Sequence, residues 1–215
     1  MKTWAALLLV LAAGIGALWH GTDGFQAVTT EAARRQAVAR APKALPAATL
    51  QFASGQELPL AQALQQDGRV TIVNFIYTRC NAICSAMGSE LQQMQRRLVE
   101  TGLAGRVRLL SISFDPADDA AQLAAYAERM RAQPQIWQFA GVADSGQRQA
   151  LLDAFGIVVV PAPLGEFEHN AAFHIVGADG RLARIVDYDA PDAALDWAEA
   201  AAAAPGVAAV AAVLP

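Results

Sequence analysis

The segment Val70-Thr71-Ile72-Val73-Asn74-Phe75-Ile76-Tyr77-Thr78-Arg79-Cys80-Asn81-Ala82-Ile83-Cys84 changes character part-way along. Its first half is apolar and β-branched, the composition of a buried strand. Its second half carries both cysteines of the chain, four positions apart. Beyond them Met87, Leu91, Met94 and Leu98 recur at helical spacing among Gln, Glu and Arg. The thiols therefore sit where a strand gives way to a helix. On the first turns of a helix, residues four apart share a face, and the partial positive charge of the helix start favours thiolate. Such a pair can close a disulfide or hold a soft metal ion. A purely structural bridge here would close a very short loop and contribute only about 2 kcal/mol, and buried cysteines also serve as plain core residues.

The segments on either side supply the rest of a mixed α/β domain. Upstream, Ala47 to Leu60 alternates in polarity around Ser54-Gly55, which predicts a β-hairpin, and Leu60 to Gln66 predicts a short helix. Downstream, Val107 to Phe114 and Ile136 to Val142 read as buried strands. Ala117-Asp118-Asp119 is placed to cap the helix between them, and Asp144-Ser145 to cap another that stops at Gly156. Pro161 to Asn170 reads as a loop. Ala171 to Val176 and Leu182 to Val186 read as strands joined through Gly177-Ala178-Asp179-Gly180, and Ala193 to Ala202 as a last helix. Strands alternating with helices require parallel pairs, and the final hairpin adds antiparallel ones. The expected fold is α/β and thioredoxin-like, a central mixed sheet flanked by helices, with an N-terminal hairpin extension. Ligands of such sheets gather at the carboxyl ends of the strands, where Cys80 falls.

The ends have other compositions. Met1-Lys2-Thr3 precedes an apolar run from Trp4 to Trp19, a basic start and apolar stretch that predict export. With a tryptophan near each end the run suits a membrane anchor. The expected organisation is a signal or transmembrane anchor over 1–20, a tether over 21–44 that is partly helical between Glu31 and Arg40, the domain over 45–200, and a low-complexity tail over 201–215. A net charge of −4 without basic clusters argues against nucleic acid as a partner.

Three histidines complete the set of candidate ligands. His20 adjoins the apolar run. His174 lies within a strand among Phe173, Ile175 and Val176, the setting of a hydrogen-bonded core residue. His169 stands in the polar segment Glu166-Phe167-Glu168-His169-Asn170 just before that strand. Two thiolates with one imidazole suit copper, since sulfur favours Cu(I) and imidazole also accommodates Cu(II). Structural zinc would need a fourth ligand. Thiol–disulfide exchange is the rival use of Cys80 and Cys84, although three residues separate them rather than the usual two. Peroxide reduction would need Thr78 and Arg79 on one side of the chain, and strand alternation points neighbours apart.

The motifs Val73-Asn74-Phe75-Ile76-Tyr77-Thr78-Arg79-Cys80-Asn81-Ala82-Ile83-Cys84 and Ser111-Ile112-Ser113-Phe114-Asp115-Pro116, with His169 eleven residues before Gly180, resemble the Sco/SenC family. The resemblance covers about Leu45 to Trp197. It implies a thioredoxin-like, membrane-anchored copper protein that assists assembly of the copper site of cytochrome c oxidase. By that resemblance Cys80, Cys84 and His169 are the copper ligands and Asp115 is a nearby acid. The partner is the copper-containing oxidase subunit or another copper protein, and the location is the bacterial inner membrane with the domain facing the periplasm. The chain departs from the family pattern at Asn81, where proline is usual, at Ser85, where it is frequent, and at Ala120-Ala121 after Asp119. It departs again at Glu168 and Asn170 on either side of the histidine.

Overall fold

The computed structural model describes residues 2–22, 24, 29–79 and 83–203, without the side chains of 2, 5, 6, 83–86 and 164. Cys80, the side chain of Cys84 and most of the tail expected over 201–215 lie outside the described residues. The chain divides into two units, Met1–Ala41 and Pro42–Pro215.

The first unit is two helices. In α1 (Lys2–Gly21) Trp4, Leu7, Leu8, Leu9, Val10, Leu11, Ile15, Leu18 and Trp19 are exposed. Among the described residues, no helix is long and apolar enough to cross a membrane. Within the expected tether lies α2 (Thr30–Arg40). Thr29 caps it by accepting the Ala32 N–H at 3.0 Å, and Glu31 pairs with Arg34 and Arg35, each at 2.8 Å.

The second unit is built on the strand that precedes the cysteines. In chain order it contains β1 (Thr49–Phe52), β2 (Glu57–Pro59), α3 (Leu60–Gln65), β3 (Val70–Ile76), α4 (Ile83–Glu100), β4 (Val107–Ser113), α5 (Ala120–Arg129), β5 (Trp137–Gly141) and α6 (Ser145–Phe155). There follow β6 (Val159–Pro161), β7 (Phe167–His169), β8 (Ala172–Val176), β9 (Leu182–Asp187) and α7 (Pro191–Ala203). The main sheet runs β2-β1-β5-β4-β3-β8-β9. Strands β3, β4 and β5 are parallel; β8 joins β3 antiparallel, and β1 joins β5 antiparallel.

Every residue of β3 and β4 is buried, as expected of central parallel strands covered on both faces. Successive β3 side chains show the covering. Phe75 packs its ring against Phe155 of α6, centroids 5.1 Å apart, whereas Asn74 turns to the other face and donates to Met87 Sδ of α4 at 3.2 Å. Asn74 Oδ1 accepts from Ser111 Oγ at 2.6 Å, and Ser111 Oγ accepts from Trp137 Nε1 at 2.9 Å. This buried chain ties β5, β4 and β3 to the helix that begins beside Cys84.

One sequence expectation is corrected. The loop expected over Pro161 to Asn170 contains β7 and the end of β6, paired in register Val159↔His169, Val160↔Glu168 and Pro161↔Phe167. The strands are too short for an alternating pattern, and Pro161, Pro163 and Gly165 disguise them. What closes the hairpin is local: Ala162 N–H donates to the Glu166 carbonyl at 2.9 Å, and Gly165 takes a φ of +77° that suits glycine. The cap expected from Ala117-Asp118-Asp119 is supplied by Asp119, in a capping box with Gln122.

Candidate metal centre

Of the candidate ligands the described residues place the His169 side chain, near the ends of β3 and β4. Phe114 N–H donates to the Ile76 carbonyl at 3.0 Å, so both chains leave the sheet side by side. Tyr77, Thr78 and Arg79 then lead to Cys80, and each is held by a different partner. The Tyr77 hydroxyl donates to Glu166 Oε2 at 2.6 Å. Thr78 donates its N–H and its hydroxyl to Asp118 at 2.8 and 2.6 Å, and its carbonyl accepts from Arg129 Nη2 at 3.2 Å. Arg79 Nη2 pairs at 2.7 Å with Asp115, whose side chain is buried. The bond from Asp115, and its charge, hold the Arg79 guanidinium above its usual pKa.

Asp115, expected as a nearby acid, is thus the partner of the residue before Cys80. Its other oxygen accepts the Ala117 N–H at 2.9 Å, and its own N–H donates to Ser113 Oγ at 3.1 Å. The turn between β4 and α5 is therefore fixed by its own aspartates.

His169 arrives from the opposite direction, on β7. Its ring packs edge-on against Phe114, centroids 4.9 Å apart, and near Tyr77 at 6.1 Å. Phe167, two residues earlier on the same face of β7, packs against both Tyr77 and Phe114, at 5.3 and 5.6 Å. Phe114 and Tyr77, both braced by Phe167, therefore seat the imidazole, and Tyr77 stands three positions before Cys80 in the chain. His169 Nδ1 lies 2.9 Å from the Asn170 carbonyl, which can only accept, so Nδ1 carries the proton. The lone pair is left on Nε2, a buried atom with no hydrogen-bond partner among the described residues. Burial lowers the His169 pKa from its ordinary 6.5, against the pull of the Asn170 carbonyl, and so favours neutral imidazole.

A neutral imidazole with one nitrogen oriented by a carbonyl and the other without a hydrogen-bond partner among the described residues has a lone pair that a metal could take. Asn170 contributes further. Its side chain accepts the Val158 N–H at 2.7 Å and donates to the Gly156 carbonyl at 2.9 Å, which closes the base of the hairpin.

His174 occupies the core position expected of it. Nε2 lies 3.0 Å from the Phe155 carbonyl, and the ring stands edge-on to Phe75 and Phe155. Among the described residues no group of three His, Cys, Asp or Glu side chains gathers to hold a metal; the cysteine side chains are not among them. The sequence reading missed the roles of Tyr77, Phe114, Phe167, Asp118 and Arg129. Only Phe167 left a signal, being one step of alternation from His169.

A family model described as SCO1/SenC matches residues 51–202. An SCO1 protein homolog of Bacillus subtilis (strain 168) is 31% identical over 129 residues, covering 57% of this chain and 63% of that protein's length. Two solved structures share the fold. BsSco, a member of the Sco family of cytochrome c oxidase assembly proteins in which a disulfide switch is identified, superposes with TM-score 0.64 at 24% identity. The match covers 75% of this chain and 95% of that one. ScoI of Bradyrhizobium japonicum with copper bound superposes with TM-score 0.59 at 20% identity, covering 74% and 99%. With a thioredoxin-like sheet, and with the family model spanning well over half of its length, the chain belongs to the SCO1/SenC family.

Proposed function

We propose that this protein binds one copper ion through Cys80, Cys84 and His169 and passes it to the copper-containing subunit of cytochrome c oxidase or to another copper protein. The observation that carries the reading is the buried Nε2 of His169, which has no hydrogen-bond partner among the described residues and is seated by Phe114 and Tyr77 next to the end of β3. A neutral imidazole and two soft thiolates form a donor set for Cu(I) and Cu(II). The chain reaches Cys84 in the first turn of α4, where the helix field favours thiolate. The copper bound to a related ScoI supports the choice of metal, and the oxidase-assembly role of BsSco's family supports the destination. A three-ligand site open on one side suits transfer better than storage.

The basic start at Lys2 and the exposed apolar side chains of α1 support export, with the N-terminus held at the bacterial inner membrane and the domain facing the periplasm. Protease added to spheroplasts should then digest the domain.

Copper titration of the reduced protein tests the ligand set. One equivalent should bind, with a thiolate-to-Cu(II) charge-transfer band. Cys80→Ser, Cys84→Ser and His169→Ala should each weaken binding and alter the band. Stoichiometric binding that survives both cysteine substitutions overturns the site.

A further inference from the structure

Asp118 and Asp119 stand together at the start of α5 and divide the labour. Asp119 caps the helix by accepting the Gln122 N–H at 2.9 Å. The Asp118 carboxylate turns away, to the ends of β3 and β4. Its Oδ2 accepts the Thr78 N–H at 2.8 Å and the Ser113 hydroxyl at 2.6 Å, and its Oδ1 accepts the Thr78 hydroxyl at 2.6 Å. From the far end of α5, Arg129 Nη2 reaches the Thr78 carbonyl. The N–H, hydroxyl and carbonyl of Thr78 are thus all held by side chains of the β4–α5 segment, although Thr78 lies outside any strand or helix.

We propose that Asp118 is a positioning residue for Cys80, acting through Thr78. Fixing the backbone two residues before the thiol limits the directions in which that thiol can point, so that less freedom remains to be lost when it engages a metal. The inference rests on the reading of Cys80 as a working thiol of the metal centre. Arg79 paired to Asp115 constrains the next residue in the same way.

Two mechanisms can be separated. If Asp118 acts by its charge alone, Thr78→Val, which leaves every charge in place, changes nothing at Cys80. If it acts by holding Thr78, Thr78→Val loosens Cys80 and Thr78→Ser, which keeps the hydroxyl, restores it. The first readout is the rate at which iodoacetamide alkylates Cys80 in the reduced, copper-free protein, with Cys84→Ser in the background so that one thiol is measured. Thr78→Val and Asp118→Asn should each raise that rate several-fold, and Thr78→Ser should match the parent. The second readout is copper affinity with Cys84 intact, expected to fall about tenfold in Thr78→Val, the lower end for loss of a group behind a metal ligand.

Asp119→Ala is the structural control. It removes the α5 cap and lowers the melting temperature, but should leave the Cys80 rate unchanged. Equal rates in Thr78→Val and the parent overturn the proposal, as does an Asp119→Ala rate raised as far as that of Thr78→Val. Wild-type protein that binds no copper overturns the copper reading instead, and the alkylation series then still decides the clamp.

Discussion

Tyr77→Phe tests whether the hairpin that carries His169 is tied to the segment that follows β3 and leads to the cysteines. Tyr77 is buried, and its ring meets Phe114, Phe167 and His169. Phenylalanine preserves those ring contacts, so the substitution removes the hydroxyl and its 2.6 Å bond to Glu166. A hydrogen bond to a charged acceptor contributes about 1.5–3 kcal/mol when fully buried. Glu166 is half-buried, and water can replace the lost donor, which brings the expected cost to about 1 kcal/mol. For a domain of this size that is a fall of about 2–4 °C in melting temperature. The assay is urea unfolding of wild type, Tyr77→Phe, Glu166→Gln and the double variant. Because both groups serve one bond, the double variant should cost little more than either single, leaving a coupling energy of about 1 kcal/mol. Copper affinity should fall in Tyr77→Phe as the hairpin loosens. Losses that simply add in the double variant would refute the tie between hairpin and strand.

Other outcomes follow from the same geometry. The imidazole of His169 should titrate below 6.5 in the copper-free protein, since burial disfavours its charged form. The unfolded chain then holds the extra proton between the folded value and 6.5, so stability rises with pH across that window. An NMR midpoint above 6.5 would contradict the burial argument. Far from the site, Arg108 is buried beside Asp67, with Arg108 Nη1 at 3.5 Å and Arg69 Nη2 at 2.6 Å from one carboxylate oxygen. Burial pushes the Asp67 pKa up, but the bond from Arg69 and the charges of Arg108 and Arg69 outweigh it and hold the group below 3.8. Its stabilisation is therefore complete above that value and lost as pH falls through the folded one. Asp67→Ala should cost about 1–3 kcal/mol at pH 7, because Asp67 is partly exposed and Arg108 keeps its bonds to Thr71 and the Ala63 carbonyl; urea curves that superimpose on wild type would show the pair to be dispensable.

The elements that bury a continuous apolar face were legible in the sequence. The Val70–Ile76 run, the helical spacing of Met87, Leu91, Met94 and Leu98, and the Gly156 stop of α6 each state their period or their cap directly, and each appears where expected. The hairpin β6–β7 was not legible. Its strands are three residues each, and the inward face of β7 is the two rings Phe167 and His169 alone, too short a stripe to show as a period. The same limit applies at the site. The chemistry of His169 as a ligand type could be read from residue identity and the family motif. The aromatic seat that directs it depends on Tyr77 and Phe167 meeting across ninety positions, and no local period encodes that. Which of Asp118 and Asp119 caps α5 was not legible for a physical reason: neighbouring carboxylates before a helix satisfy the same local preference, and only tertiary contact with Thr78 draws Asp118 away.

X-ray absorption at the copper edge of the loaded protein tests the ligand set most directly, compared between wild type and His169→Ala. The account predicts two sulfur scatterers and an imidazole in the wild type, with the imidazole signal lost and both sulfurs retained in the variant. An identical spectrum in the two proteins, or a wild-type site of sulfur alone, would contradict it.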